Sequence, residues 1–514
     1  MKTIVSILLA LISVSSDAGT VWSPGRADYP YISNYLATVP SPGDIVQLPA
    51  GNFTWYGYVN LAGIQLVGAG TNSTFIASEA PESGQESLVQ MNVSDATHFT
   101  RLTGISFGPG VTNAYPYISY SGLVQVSGPG WNWRVDHCSF VNNTEKPIRV
   151  LDASYGLIDH NYLYMNTNAA NAFEIFASGV GFGDGTWSLD PMFGSSNFVF
   201  IENNTIASSV NFATCDVAYG GRAVIRNNNF NGTWVFTHGT DSSGRYRGTR
   251  CVEVYSNNFQ YGNTTFINSQ YSVRIDSGTA LIYNNNSTNF YNTAAYEYYR
   301  STDAKTFSPW YGTTYTNVFD TVGATLYTNT ATANSTSSPT VAATLTVSGA
   351  SWTANQWAGW EVYNTRSGEI WSCNGNTSTA LSFVVGPSYN NQDQTGFNTG
   401  DVVIFYKVTA GFDQPGRGKG YNYGDTGTPG LVNPAQASEP IHAWGNNVVW
   451  NGTSAQGANA YSGNYPMITA GLDYTNTPPT NYSSFPYPHF LQSVTNGPAP
   501  ASATAISVKF TFIH

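Results

Sequence analysis

A six-residue pattern recurs along the chain and limits its fold more than any other feature. It reads apolar, variable, polar, Asn or Cys, variable, apolar. It appears as Val135-Asp136-His137-Cys138-Ser139-Phe140 and Ile158-Asp159-His160-Asn161-Tyr162-Leu163. It returns as Ile201-Glu202-Asn203-Asn204-Thr205-Ile206, Ile225-Arg226-Asn227-Asn228-Asn229-Phe230 and Val254-Tyr255-Ser256-Asn257-Asn258-Phe259. Weaker copies start at Leu102, Ile282 and Ala443. From Val135 the first apolar positions lie 23, 43, 24, 29 and 28 residues apart. A period in the twenties marks a stack of repeated coils. The interval of 43 reads as two units, with Phe173-Glu174-Ile175-Phe176 supplying the missing one.

Each unit is a short alternating stretch followed by Asn- and Gly-rich turns, the signature of strands joined by bends. The Leu-x-x-Leu-x-Leu pattern is absent, as is a helical half-repeat, so a β-solenoid is expected rather than leucine-rich repeats. Stacking buries a column of Val, Ile and Phe and sets Asn upon Asn. Asn161, Asn204, Asn228, Asn257 and Asn285 are expected to form an amide ladder with Cys138 at its end. Composition agrees: charged residues are 10%, aromatics 14% and hydrophobics 41%, with 51 Gly and 34 Tyr. Turn formers and β-branched or aromatic residues in that abundance suit an all-β chain. The net charge of -11 argues against a nucleic-acid partner.

These rungs resemble the right-handed parallel β-helix of the pectate-lyase-like superfamily, over about residues 45 to 300 and 436 to 495. More narrowly, the chain is similar to secreted bacterial β-helix proteins through GGRAVIRNNNF at 220–230, HGTDSSGRYRGTR at 238–250 and DQPGRGKG at 413–420. The expected organisation is a signal peptide at 1–18, a cap and β-helix at 19–300, an inserted small all-β module at 301–410, and a return to the helix with a tail at 411–514. Lys2, the apolar run Ile4 to Val14 and Ser16-Asp17-Ala18 carry the export signal. The run is too short to span a bilayer, so a secreted, extracellular protein without a membrane span is expected. Trp352, Trp357, Trp360 and Trp371 read as the core of the inserted module, with a sugar-stacking platform as the alternative. Cys138, Cys215, Cys251 and Cys373 read as structural, either buried thiols or one or two bridges.

The strongest local charge signal is basic. Residues 222 to 250 hold Arg222, Arg226, Arg245, Arg247 and Arg250. Even spreading would put about one basic residue there. Guanidinium forks bind carboxylates, so this cluster is a candidate site for the uronate groups of an acidic polysaccharide. A lyase needs a base for the proton beside a uronate and a cation to neutralise the carboxylate. His238, Arg245, Arg247 and Asp216 are the candidate catalytic residues, and Arg222, Arg226, Arg250 and Asp241 the candidate substrate-binding ones. Arg222, Arg245 and Arg247 are expected to converge on one face with His238 and Asp216. The resemblance implies an Arg or Lys base, and calcium as a candidate cofactor although its signature is not intact.

Asp136, Asp159 and Glu202 share one column, with Arg226 next in line. That column reads either as an acid–base pair for glycoside hydrolysis, as a calcium site, or as a stripe satisfied by salt bridges, with the last favoured. His137 and His160 read as a turn ladder. Gly104-Ile105-Ser106-Phe107-Gly108 fits a nucleophile-elbow pattern but lies inside a rung with no helix to follow. The expected function is therefore an acidic-polysaccharide lyase or a glycoside hydrolase. The alternative is a non-catalytic carbohydrate-binding or adhesive surface protein. The sequence sets no oligomeric state.

Overall fold

The structure, a computed structural model, describes residues 19–79, 87–95, 97–109, 122–141, 146–165, 171–177, 183–239, 246–261, 271–296, 319–321, 327–337, 342–367, 370–383, 396–411, 413–418, 437–450, 453–455, 461–462 and 468–494. Its body is a right-handed parallel β-helix. Each coil runs through three short strands, which stack into three faces, here A, B and C.

Face A is a twelve-stranded parallel sheet that includes Thr100–Thr103, Trp133–Asp136, Leu157–Asp159, Val199–Glu202, Arg222–Arg226, Cys251–Tyr255, Thr279–Tyr283 and Ile441–Trp444. Face B follows it around one turn, through Ser139–Val141, Tyr162–Met165, the starts of Thr205–Ala218 and Asn229–Thr237, Asn258–Gln260, Asn286–Thr288 and Asn447–Trp450. Face C holds Val89–Asn92, Val124–Ser127, Ile148–Val150, Phe173–Phe176, the ends of Thr205–Ala218 and Asn229–Thr237, Tyr271–Ile275 and Asn292–Tyr296.

Register explains the sequence pattern. Leu102, Val135, Ile158, Ile201, Ile225, Val254, Ile282 and Ala443 are successive cross-strand partners on face A and all point into the core. The second apolar position lines the core from face B, where Phe107 stacks on Phe140 at 5.3 Å and Phe230 on Phe259 at 4.6 Å. Between the two apolar positions the chain turns through one residue with positive φ: His137, His160, Asn203, Asn227, Ser256 or Asn284, with φ of 47 to 57°. Asn and His are among the residues that enter this left-handed region most readily. The next residue is the buried amide. Asn204 Oδ1 accepts from the Asn161 backbone N–H at 2.9 Å and its Nδ2 at 3.0 Å. The ladder repeats through Asn228, Asn257 and Asn285 and ends on Asn446, with Cys138 at the other end.

The interval of 43 is one coil, not two. Ile158 pairs directly with Ile201. Phe173–Phe176 is the face C strand of that same coil, and residues 183–197 lengthen the connection back to face A. Within 183–197, Thr186 and Trp187 are buried against the coils.

At the N-terminal end, helix Tyr31–Thr38 packs Ile32 and Leu36 onto the core. Between face C strand Asn292–Tyr296 and face A strand Ile441–Trp444 the chain builds a seven-stranded antiparallel sheet from Phe319–Thr321 to Val402–Gly411. Its separate core holds Trp357 and Trp371, with Trp352 and Trp360 packed against it. All four cysteines are buried free thiols. Among the described residues no helix is long and apolar enough to cross a membrane.

Candidate functional site

The described arginines of the 222–250 cluster are buried, and Arg226, Arg247 and Arg250 each pair with a carboxylate. Arg247 makes a forked pair with Asp413, Nε to Oδ2 at 2.8 Å and Nη2 to Oδ1 at 2.7 Å, and lies over the Trp187 ring. Arg250 pairs with Glu439 at 2.6 Å and donates to the Leu189 carbonyl. Arg222 donates to the carbonyls of Thr186, Asp190 and Pro191. Arg226 pairs with Glu202 at 2.6 Å and donates to the carbonyls of Phe485 and Pro486. Arg222, Arg247 and Arg250 do converge, on the segment Thr186–Pro191 rather than on Asp216 and His238, which point out from face C. Their carboxylate partners come from residues 413 and 439, across the inserted sheet. Arg245 and Asp241 lie outside the described residues.

The three quoted sequence stretches thus meet at one junction. Asp413 opens the 413–418 turn that carries the chain back to the coils, and a side chain at Gly418 would collide with the Glu439 carboxylate and the Arg250 guanidinium. What the motifs encode here is the re-entry of the chain after its insertion.

The acidic column is satisfied in the same way. Asp136, Asp159, Glu202 and Arg226 are successive partners on the outer side of face A. Arg101 forks onto Asp136 at 2.7 and 2.6 Å, and Arg134 onto Asp159 at 2.7 Å for both bonds. The segment Tyr482–Ser493 lies across them. Glu202 accepts from the His489 backbone N–H and from Gln492 Nε2, and Glu253 accepts from the Tyr482 hydroxyl at 2.5 Å. His137 and His160 stack in parallel at 5.1 Å, each with Nδ1 on the aspartate before it. After Gly104 the chain runs into the strand Ser106–Pro109, so no nucleophile elbow exists there.

Face C carries a different set. Arg149, Glu174, Asp216, Phe236 and Arg274 are partners on five successive coils, all on the outward positions. Glu174 meets both Lys146 and Arg149, the latter at 3.0 Å. Asp216 accepts from Asn171 at 3.2 Å. Rings flank these charges: Arg149 lies over Phe176, Phe176 meets Tyr219 at 4.5 Å, and Tyr219 meets Tyr246 at 4.6 Å. Two positions beyond Phe236, His238 sits edge-on to its ring at 5.5 Å. Arg274 covers the same ring and forks onto Asp276. Burial pulls the Lys146 ammonium down to about 8; the Arg149 charge adds to this and the Asp216 charge opposes it. Burial also lowers Arg149.

This face unites Asp216 and His238 with Lys146, Arg149 and Glu174, which the sequence reading passed over. Face C strands follow connections of variable length, so no fixed spacing points to them. The available signal was a lone Glu within the apolar strand Phe173-Glu174-Ile175-Phe176. The donor set does not suit calcium. Glu174 is committed to two cations, Asp216 accepts from an amide, and among the described residues no three His, Cys, Asp or Glu gather as a metal group.

No family model and no curated protein matches the chain. Among solved structures it is similar to the PL6 family alginate lyase AlyGC, at 15% identity and a TM-score of 0.30, over 54% of this chain and 45% of that one. It is also similar to the tailspike protein of E. coli bacteriophage HK620 in complex with a pentasaccharide, at 10% identity and a TM-score of 0.29, over 77% of this chain and 94% of that one. A third is the catalytic domain of a GH87 alpha-1,3-glucanase in complex with nigerose, at 13% identity and a TM-score of 0.25, over 54% and 60%. The chain thus spans less than half the length of the alginate lyase.

Proposed function

We propose that this is an exported polysaccharide lyase that holds an acidic glycan against face C. The observation that carries the reading is Lys146, which shares the Glu174 carboxylate with Arg149 and feels the Asp216 charge, and whose ammonium burial pulls down to about 8. An amine so placed is partly unprotonated near neutral pH and is a competent base. The uronate carboxylate of the substrate meets Arg149, which neutralises it and stabilises the enolate-like charge. Lys146 takes the proton on the carbon next to that carboxylate. The electron pair forms the C4–C5 double bond and the C4–oxygen bond breaks. The Tyr219 hydroxyl returns a proton to the leaving oxygen. Glu174 orients both cations, and Tyr246 offers a stacking ring. His238 and Arg274 line the next positions along the polymer.

Glu174 and Asp216 support a second reading. They are cross-strand partners on adjacent coils, one strand spacing of about 4.8 Å apart along the backbone, and two neighbouring carboxyls are the machinery of a retaining glycosidase. A hydrolase needs one of the two protonated, however, and Glu174 contacts two cations while Asp216 lies near Lys146.

The test is a panel of alginate, polygalacturonate and hyaluronan, read by ultraviolet absorbance of the unsaturated product and by new reducing ends. Lysis predicts both signals together, lost in Lys146→Met and Arg149→Met, with unfolding midpoints recorded alongside to show that the variants are folded. Reducing ends without absorbance, lost in Glu174→Gln and Asp216→Asn, assign the hydrolase. No product, or product undiminished in Lys146→Met, rejects the lyase.

A further inference from the structure

The outer side of face B is unlike the other two. Its strands place Tyr162, Thr205, Asn229, Asn258, Asn286 and Asn447 in one outward column. Asn231, Gln260 and Thr288 form the column beside it. All nine are exposed, and none carries a charge. Faces A and C, by contrast, carry ion pairs on their outer sides.

The amides are ordered by one another. Asn258 Nδ2 donates to Asn229 Oδ1 at 3.1 Å, and Asn286 Nδ2 donates to Asn258 Oδ1 at 3.3 Å. A carboxamide has two N–H donors and two acceptor lone pairs. Asn258 spends one of each along the ladder. Asn258 keeps one donor and one acceptor facing outward, held in orientation by its neighbours Asn229 and Asn286, which stand one strand spacing of about 4.8 Å to either side. The buried ladder of Asn228, Asn257 and Asn285 has no such remainder on a surface. Beyond Thr288 and Val449, Tyr291 and Trp450 stack at 4.0 Å, with Tyr291 exposed.

We propose that the outer side of face B is a second binding surface, independent of face C, for a neutral polysaccharide. A sugar hydroxyl is both donor and acceptor, and an extended glycan repeats its hydroxyls once per sugar, on the same scale as the coils. A surface without charge has nothing to gain from a uronate and nothing to lose with an uncharged chain. The Tyr291–Trp450 pair supplies an apolar plate for a sugar ring. The ordered ladder lowers the entropy lost on binding.

The experiment is retention of the full chain on cellulose, xylan, mannan and laminarin at high salt, which screens charge-based binding at face C. The chain is expected to be retained by at least one of them. Asn258→Ala/Asn286→Ala should weaken that retention about tenfold, since hydrogen bonds are lost at two positions. Asn258→Asp/Asn286→Asp should weaken it similarly by adding charge, and Lys146→Met should leave it unchanged. The unfolding midpoint reports whether the variants are folded. Retention by none of the four polymers overturns the proposal, as does retention unaltered by the paired variants. Loss of retention together with a drop in oligomeric state assigns the face to self-association instead.

Discussion

Arg247 and Asp413 stand 166 positions apart and form a buried, two-pronged ion pair where the chain returns to the β-helix after the inserted sheet. Removing one member leaves the other's charge in the interior without its opposite. Arg247→Met or Asp413→Asn should each cost about 3–5 kcal/mol of stability. Asn is the suitable replacement because position 413 has a φ of 54°. The Arg247→Met/Asp413→Asn double variant should lose less than the sum of the two. Urea unfolding checks this, and additive losses would mean the pair is not coupled.

The two amide ladders should respond oppositely. Asn228 is fully buried and bonds to the Asn204 N–H, the Ile201 carbonyl and Asn257. Asn228→Ala strands those groups and should cost about 3 kcal/mol. Asn258 is exposed, so Asn258→Ala should stay within about 0.5 kcal/mol of the parent. Thermal unfolding of the two variants side by side measures the contrast.

Lys146 sets a pH dependence with a definite sign. Its folded value of about 8 lies below the ordinary 10.5. Below pH 8 both folded and unfolded chains carry the charge, and the fold bears its desolvation cost. Between the two values the folded state binds fewer protons, so stability rises with pH there. Lys146→Met should remove that rise. In the lyase reading the cleavage rate also climbs with a midpoint near pH 8. A profile flat from pH 6 to pH 10 would separate Lys146 from the proton transfer.

The segment Tyr482–Ser493 lies against charged groups on the outer side of face A. A variant ending at Asn481 removes the Phe485 and Pro486 carbonyls from Arg226, and Gln492 and the His489 N–H from Glu202. It should unfold several degrees lower and be cut faster by protease within face A. An unchanged midpoint would show that water replaces the segment without cost.

The inner ladder was legible in advance because it is periodic. Asn161, Asn204, Asn228, Asn257 and Asn285 recur at the same place in a short pattern, and a stack of coils is the arrangement that puts such residues in contact. That the inserted module has its own tryptophan core, with Trp357 and Trp371 buried and Trp352 and Trp360 packed against them, followed from their number in a chain segment without rungs. The 43-residue interval was misread because a long connection inside one coil and an extra coil add the same length to the sequence.

The partners of the arginines were not legible, for a physical reason. A local run of five Arg states how much positive charge must be neutralised but not by what. Solenoid stacking brings together only residues about one coil apart, which is why Asp216 and Asp241 were the visible candidates. Asp413 and Glu439 return to the coils only after the inserted sheet, and Phe485 to Gln492 only near the end of the described chain. The sequence by itself determined the coil, its turn residues and its core columns, since these depend on spacing. Which charges are sealed and which stand together on face C was decided by tertiary structure, because charge pairing depends on distance in space, and long connections erase that distance from the sequence.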